Sequence, residues 1–221
     1  MIVLALDTAG TGCFACVYDS DRDVVLAMTG ADIGRGHAER LMGFIDEALV
    51  ESGKTLSDVD RIAVTVGPGS FTGIRVGVAA ARGFALALAV PAVGISSLAV
   101  LARAARQVHQ AQAVFAVMDA KRDEIYGQMF DASGAAMAEA TAYTVDEARQ
   151  LASGFVGVVC GSARELLLGE HTDSDAPRYL ADIGVVARLG AIADPAFGKP
   201  KPLYLRGPDA KPQLGFAVAR A

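Results

Sequence analysis

The chain has 221 residues, a formal charge of −5 and 52% hydrophobic residues, which suits one large or two small globular domains and excludes a disordered chain. That acidic balance argues against a protein that grips nucleic acid alone, since phosphate neutralisation needs a concentrated basic surface. Three cysteines make no disulfide framework, so the expected setting is the reducing cytoplasm.

The opening "MIVLALD" lacks the positive n-region of a signal peptide and reads directly as a strand ending at Asp7. "LDTAGTG" places Asp7, Thr8 and Thr11 in a strand-end turn. Its backbone N–H groups and carboxylate can face a phosphate and a hydrated metal, or can simply stabilise a β-turn. These three residues are the candidate nucleotide contacts. Cys13 and Cys16 form a C-x-x-C, but "CFACVY" is strand-like, and positions three apart on a strand face opposite sides. Two buried cysteines fit better than a zinc knuckle or a redox pair.

This opening unit recurs. "VLALDTAGTGCFACVYD" ends at Asp19 and "FAVMDAKRDEIYGQMFD" at Asp131, an offset of 112 residues, about half the chain. In each, an apolar strand closes on an aspartate, Asp7 or Asp119, and a second strand closes on another aspartate twelve residues later. "DVVLAM" matches "GAAMAE" loosely at nearly the same offset. Two similar halves are the economical explanation, with residues 1–106 as the first lobe and 107–221 as a smaller second one.

In the first half, "GHAERLMGFIDEALVESG" puts Ala38, Leu41, Met42, Ile45, Ala48 and Leu49 on one helical face, with Gly53 where a C′ glycine belongs. "RIAVTV" is a continuous apolar strand. "GPGS" then leads into a helix from Ser70 to about Ala89. Its Gly73, Gly77, Ala81 and Ala85 form a smooth stripe open to close approach by another helix or a second protein. Gly83 to Ala102 is twenty residues without a charge, yet Pro91, Gly94 and the cap at Ser96–Ser97 break it into helix, short strand and helix. That excludes a membrane span.

In the second half, "TVDEARQLA" is a helix capped by Thr144 with Asp146 and Glu147 in its first turn, followed by the strand "FVGVV" and by "GSARELLLG". The order βββαβα, twice, indicates α/β lobes with mixed sheets covered by helices. Five of the eight prolines fall from Pro195 onward, with Lys199, Lys201, Arg206 and Lys211 against Asp209. This is an extended tail, basic enough for a local contact with RNA or a partner.

As a free-standing phosphate site the Gly67–Gly73 loop is weak. It lacks the Walker lysine, and Gly73 comes one residue late for the dinucleotide fingerprint.

The strings "IVLALDT", "HAERL" (His37–Leu41), "VGPGSFTGIRVG" (Val66–Gly77), "MDAKRDEIY" (Met118–Tyr126) and "PLYLR" (Pro202–Arg206) resemble the marks of the TsaB (YeaZ) family. The resemblance runs in order over nearly the whole chain. It implies the actin/Hsp70/hexokinase-like (ASKHA) fold, two ribonuclease-H-like lobes, and a non-catalytic scaffold role in tRNA threonylcarbamoyladenosine modification beside the anticodon. The partners it implies are the catalytic subunit TsaD and the ATPase TsaE. A homodimer would form in isolation, tRNA would be met only through the complex, and no membrane would be involved.

The interface residues implied are His37, Arg40, Leu41, Phe44, Ser70, Phe71, Thr72, Arg75, Val76 and Ala80. No catalytic residue, metal or resident cofactor is implied, though ATP or ADP could lie at a subunit junction. The catalytic relative's His-x-x-x-His is broken here by Leu41, four residues after His37, and His109 and His171 stand in unrelated contexts. His37 is then expected as a hydrogen-bonding helix-start residue. The alternative is an ATP-dependent phosphotransferase of the same fold, with Asp7 and Thr8 at the phosphates and Asp119 placing magnesium. The charged turn "DAKRDE" weighs against it.

Overall fold

The computed structural model describes residues 1–110, 112–169 and 182–206. His171, Asp209 and Lys211 lie outside them.

Three strands open the chain: β1 (Ile2–Asp7), β2 (Gly12–Asp19) and β3 (Val24–Asp32), paired antiparallel in sequence. α1 (His37–Ser52) follows, then β4 (Arg61–Gly67) parallel to β1, α2 (Phe71–Leu88), β5 (Ala92–Ser96) parallel to β4, and α3 (Ser97–Val108). The first sheet thus has the order β3-β2-β1-β4-β5. The second half repeats the plan with β6 (Val114–Lys121), β7 (Glu124–Phe130), β8 (Thr141–Thr144), α4 (Val145–Gly154), β9 (Val158–Cys160) and α5 (Arg164–Leu168). Its sheet order, β8-β7-β6-β9, is that of the first four strands of the other sheet. The expected repeat and the two mixed sheets of the actin/Hsp70/hexokinase-like fold are both present. One detail differs: the third strand of the second lobe is Thr141–Thr144, and "GAAMAE" contributes only a bridge from Ala136 to Phe130.

Strand alternation sorts the first lobe's core into two faces. Leu4, Leu6, Cys13, Val17, Ile62 and Val64 face α1 and α2. Val3, Ala5, Cys16 and Ala63 face the other way, onto α6 (Ile183–Ile192) and Val100 of α3. Cys13 and Cys16 are therefore on opposite sides, both fully buried, and burial pushes their thiols up to about 11 and about 12. α6 belongs by sequence to the second half, yet it packs on β1, β2 and β4. α3 lies between the sheets, with Leu98 and Ala102 against Val114, Ala116 and Met118 of β6.

The helix boundaries follow from local chemistry. Ser70 Oγ accepts from Gly73 N at the start of α2, Ser96 caps α3, and Thr144 with Glu147 forms a capping box on α4. α1 ends on left-handed Gly53, as expected. The buried face of α1 is rotated from the expected one. Leu41, Phe44, Ile45, Ala48 and Leu49 point inward, whereas Ala38 and Met42 are exposed.

Candidate functional site

The "GPGS" loop and the β1–β2 turn form one packed unit. Ser70 N–H donates to the Ala9 carbonyl over 2.7 Å, and a side chain at Gly69 would strike that same carbonyl. One turn into α2, a Cβ on Gly73 would overlap the Thr8 carbonyl. One on Gly77 would lie 2.5 Å from Thr8 Oγ1 and 3.2 Å from Val64. Thr8 Oγ1 donates to the Gly73 carbonyl over 2.7 Å. At Gly73 and Gly77 the small-residue stripe of α2 therefore meets its own chain's β1–β2 turn and β4, where the four-residue period suggests another helix or a second protein. The loop glycines serve this close approach, and Ser70 N–H is engaged with protein.

Asp7 and Thr8 are buried in the same unit. Asp7 Oδ1 accepts the Thr65 hydroxyl and the Ala9 N–H. Burial pushes the Asp7 carboxyl above its ordinary range, against the lowering effect of those bonds and of His37. With Asp7 Oδ1 accepting from Thr65 and Ala9 and the Thr8 hydroxyl donating to the Gly73 carbonyl, these groups are turned into the lobe rather than toward a phosphate or a hydrated metal. Thr11 Oγ1 is buried and has no hydrogen-bond partner among the described residues. In the second lobe Asp119 is held below the usual carboxylate range by bonds from Lys121 that outweigh its burial. Lys121 Nζ pairs with it at 2.7 Å. Among the described residues, no three His, Cys, Asp or Glu side chains gather as a metal site.

The expected interface residues divide by position. His37, Leu41 and Phe44 are buried. His37 Nε2 has no hydrogen-bond partner among the described residues, so His37 is not the hydrogen-bonding helix-start residue expected. Arg40 is exposed and stacks on Phe44, its guanidinium carbon 5.1 Å from the ring centroid. Ser70 is the N-cap. Thr72 is exposed, and Val76 and Ala80 are half-buried.

Phe71 and Arg75 share an outward cluster that the sequence did not signal in full. Arg75 lies 3.6 Å over the Phe71 ring, and its Nε donates to Tyr204 Oη over 2.8 Å. The Phe71 and Tyr204 rings are 5.2 Å apart. Tyr204 arrives from the Pro-rich tail, pinned because Leu203 N–H donates to the Val66 carbonyl over 2.8 Å. Phe71 is 50% and Tyr204 46% exposed, a large aromatic surface fixed by a cation and left open to solvent. At the other end of α2, Leu86 is 82% exposed.

Comparison with known proteins places this geometry. A family model described as TsaD, tRNA N6-adenosine threonylcarbamoyltransferase, matches residues 31–161. The tRNA threonylcarbamoyladenosine biosynthesis protein TsaB of Haemophilus influenzae is 39% identical over 127 residues, 57% of this chain and 52% of that protein. The solved structure of YeaZ from Pseudomonas aeruginosa superposes with a TM-score of 0.75 at 26% identity, over 92% of this chain and 99% of that one. The chain belongs to the TsaB (YeaZ) family. An uncharacterized protein of Mycobacterium tuberculosis is 32% identical over 210 residues, 95% of this chain and 94% of its own length. The match spans about half the length of the curated TsaB relative.

Proposed function

We propose that the chain is an accessory, non-catalytic subunit in the biosynthesis of tRNA threonylcarbamoyladenosine, acting by docking on TsaD, with TsaE joining the pair. The observation that carries this reading is the fixed, solvent-open cluster of Phe71, Arg75 and Tyr204 at the start of α2. Rigid aromatic and arginine anchors of this kind dominate binding energy at protein interfaces. Arg40 and Thr72, also exposed, would extend the contact. The buried Leu41 and Phe44 would support it from beneath.

In this reading the same face pairs two copies when the catalytic partner is absent, and tRNA is met only in the assembled complex. ATP or ADP enters at a junction where the partner supplies the phosphate ligands, since Asp7 and Thr8 are engaged inside the lobe. The setting proposed is the cytoplasm.

The test is to mix the purified chain with TsaD, with and without TsaE and ATP, and follow elution by size exclusion with light scattering. Co-elution in a defined ratio is expected. Separate elution under every condition would overturn the proposal.

A further inference from the structure

The face of the first sheet opposite α1 and α2 carries a second feature. There the β2–β3 hairpin, α3 and α6 enclose an open cleft of about 410 Å³. Its walls include Tyr18 and Asp23 from the hairpin, Arg103 from α3, and Arg188 and Ile192 from α6.

Arg188 is fixed in place. Its Nε donates to Asp23 Oδ1 over 2.9 Å, its Nη1 reaches the Gly184 carbonyl at 3.4 Å, and its guanidinium carbon lies 5.3 Å from the Tyr18 ring centroid. Asp23 is aimed in turn by the Tyr18 hydroxyl at 2.7 Å, from a left-handed backbone (φ 52°) that Asp adopts more readily than most residues. Arg103, across the cleft, has no hydrogen-bond or ion-pair partner among the described residues. Two guanidiniums against one carboxylate leave the lining with one excess positive charge. Ile192, 79% exposed, adds an apolar wall.

We propose that this cleft binds a small organic oxyanion, a carboxylate or phosphate monoester on a compact apolar body. Arg103 and the open edge of Arg188 take the oxyanion, because the planar guanidinium fork matches two oxygens at once. Tyr18 and Ile192 take the body. The pre-ordering of Arg188 by Asp23 and Tyr18 lowers the cost of ordering the site on binding. None of these residues belongs to the partner face of α1 and α2, so the inference stands or falls independently of the proposed scaffold role.

The probes are phenyl phosphate, benzoate and inorganic phosphate, titrated into the full chain while backbone and arginine side-chain NMR signals are followed. Saturable shifts centred on Tyr18, Arg103 and Arg188 are expected for at least one organic anion, with Kd on the order of 1 mM. Comparing phenyl phosphate with benzoate tells phosphate from carboxylate. Inorganic phosphate should bind more weakly than the preferred organic anion. Arg103→Gln removes an exposed side chain and leaves the fold intact by circular dichroism. It should weaken binding roughly 10-fold or more. Any one of three results overturns the proposal: no saturation by either organic anion, undiminished binding by R103Q, or inorganic phosphate binding as tightly as both organic anions.

Discussion

The Thr8 hydroxyl donates to the Gly73 carbonyl over 2.7 Å, while a methyl group on Gly73 would overlap Thr8's own carbonyl. This reciprocal contact locks the β1–β2 turn to the first turn of α2. Gly73→Ala should destabilise the chain by about 1–3 kcal/mol, because backbone on both sides must move to admit the methyl. Gly83, ten residues on in the same helix, is the internal control: a methyl there meets nothing within 4 Å. Gly83→Ala should stabilise by about 0.5–1 kcal/mol through helix propensity alone. Urea unfolding of both variants checks the contrast. Equal effects would mean that α2 does not rest on Thr8.

That contrast also marks where sequence reading succeeds. Small residues at intervals of four announce that some backbone comes close, and this was legible. Which backbone comes close was not, because Thr8 and Gly73 are 65 residues apart and nothing local links them. Caps such as Ser96 and Thr144 were legible since both partners lie within three residues. Tyr204 joins Arg75 across 129 residues, so its role emerges only from the fold. The α1 stripe was found but rotated, since an apolar face wider than 100° admits either Met42 or Phe44 at its edge.

Asp7 gives a pH prediction. Burial raises its carboxyl above the unfolded value, so the folded state holds the proton more tightly than the unfolded chain does. Stability from this group is fully present below the unfolded carboxylate value of about 3.9 and is lost as pH rises through the folded one. Asp7→Asn keeps an oxygen for Thr65 and Ala9 but cannot ionise. Relative to D7N, the wild type should lose stability as pH rises above about 4. Denaturation series at several pH values test this, and parallel curves for the two proteins would contradict it.

The three cysteines should be inert in the folded chain. Burial raises Cys13 to about 11 and both Cys16 and Cys160 to about 12, which leaves almost no thiolate at pH 8. Iodoacetamide at that pH should label none of them natively and all three in denaturant, as read by intact mass. Rapid native labelling of Cys13 or Cys16, or a disulfide between them, would restore the redox reading of the C-x-x-C.

At the proposed partner face, Phe71→Ala should change stability little, since the ring is half exposed, yet weaken association with TsaD by about 2 kcal/mol or more if it anchors the contact. Arg75→Ala should act in the same direction, because it removes the cation that fixes both rings. Calorimetric titration against TsaD, with thermal melts alongside, separates the two effects. Unchanged affinity in both variants would move the interface elsewhere.

Arg61 carries the attachment of α6 to the first sheet. From the start of β4 its Nη1 donates to the carbonyls of Gly190, Ala191 and Ala193 at 3.0, 2.8 and 2.9 Å. These lie at the end of α6, where helix carbonyls lack intrahelical partners and the dipole is negative. Arg61→Ala should cost about 1.5–3 kcal/mol, with Arg61→Lys recovering part of it through charge alone. Hydrogen exchange localises the loss: amides of α6 should exchange faster while those of β6 and β7 keep their protection. If all regions loosen together, α6 is not held as a separate unit by this one side chain, and its apolar contacts with Val3, Ala5 and Ala63 dominate instead.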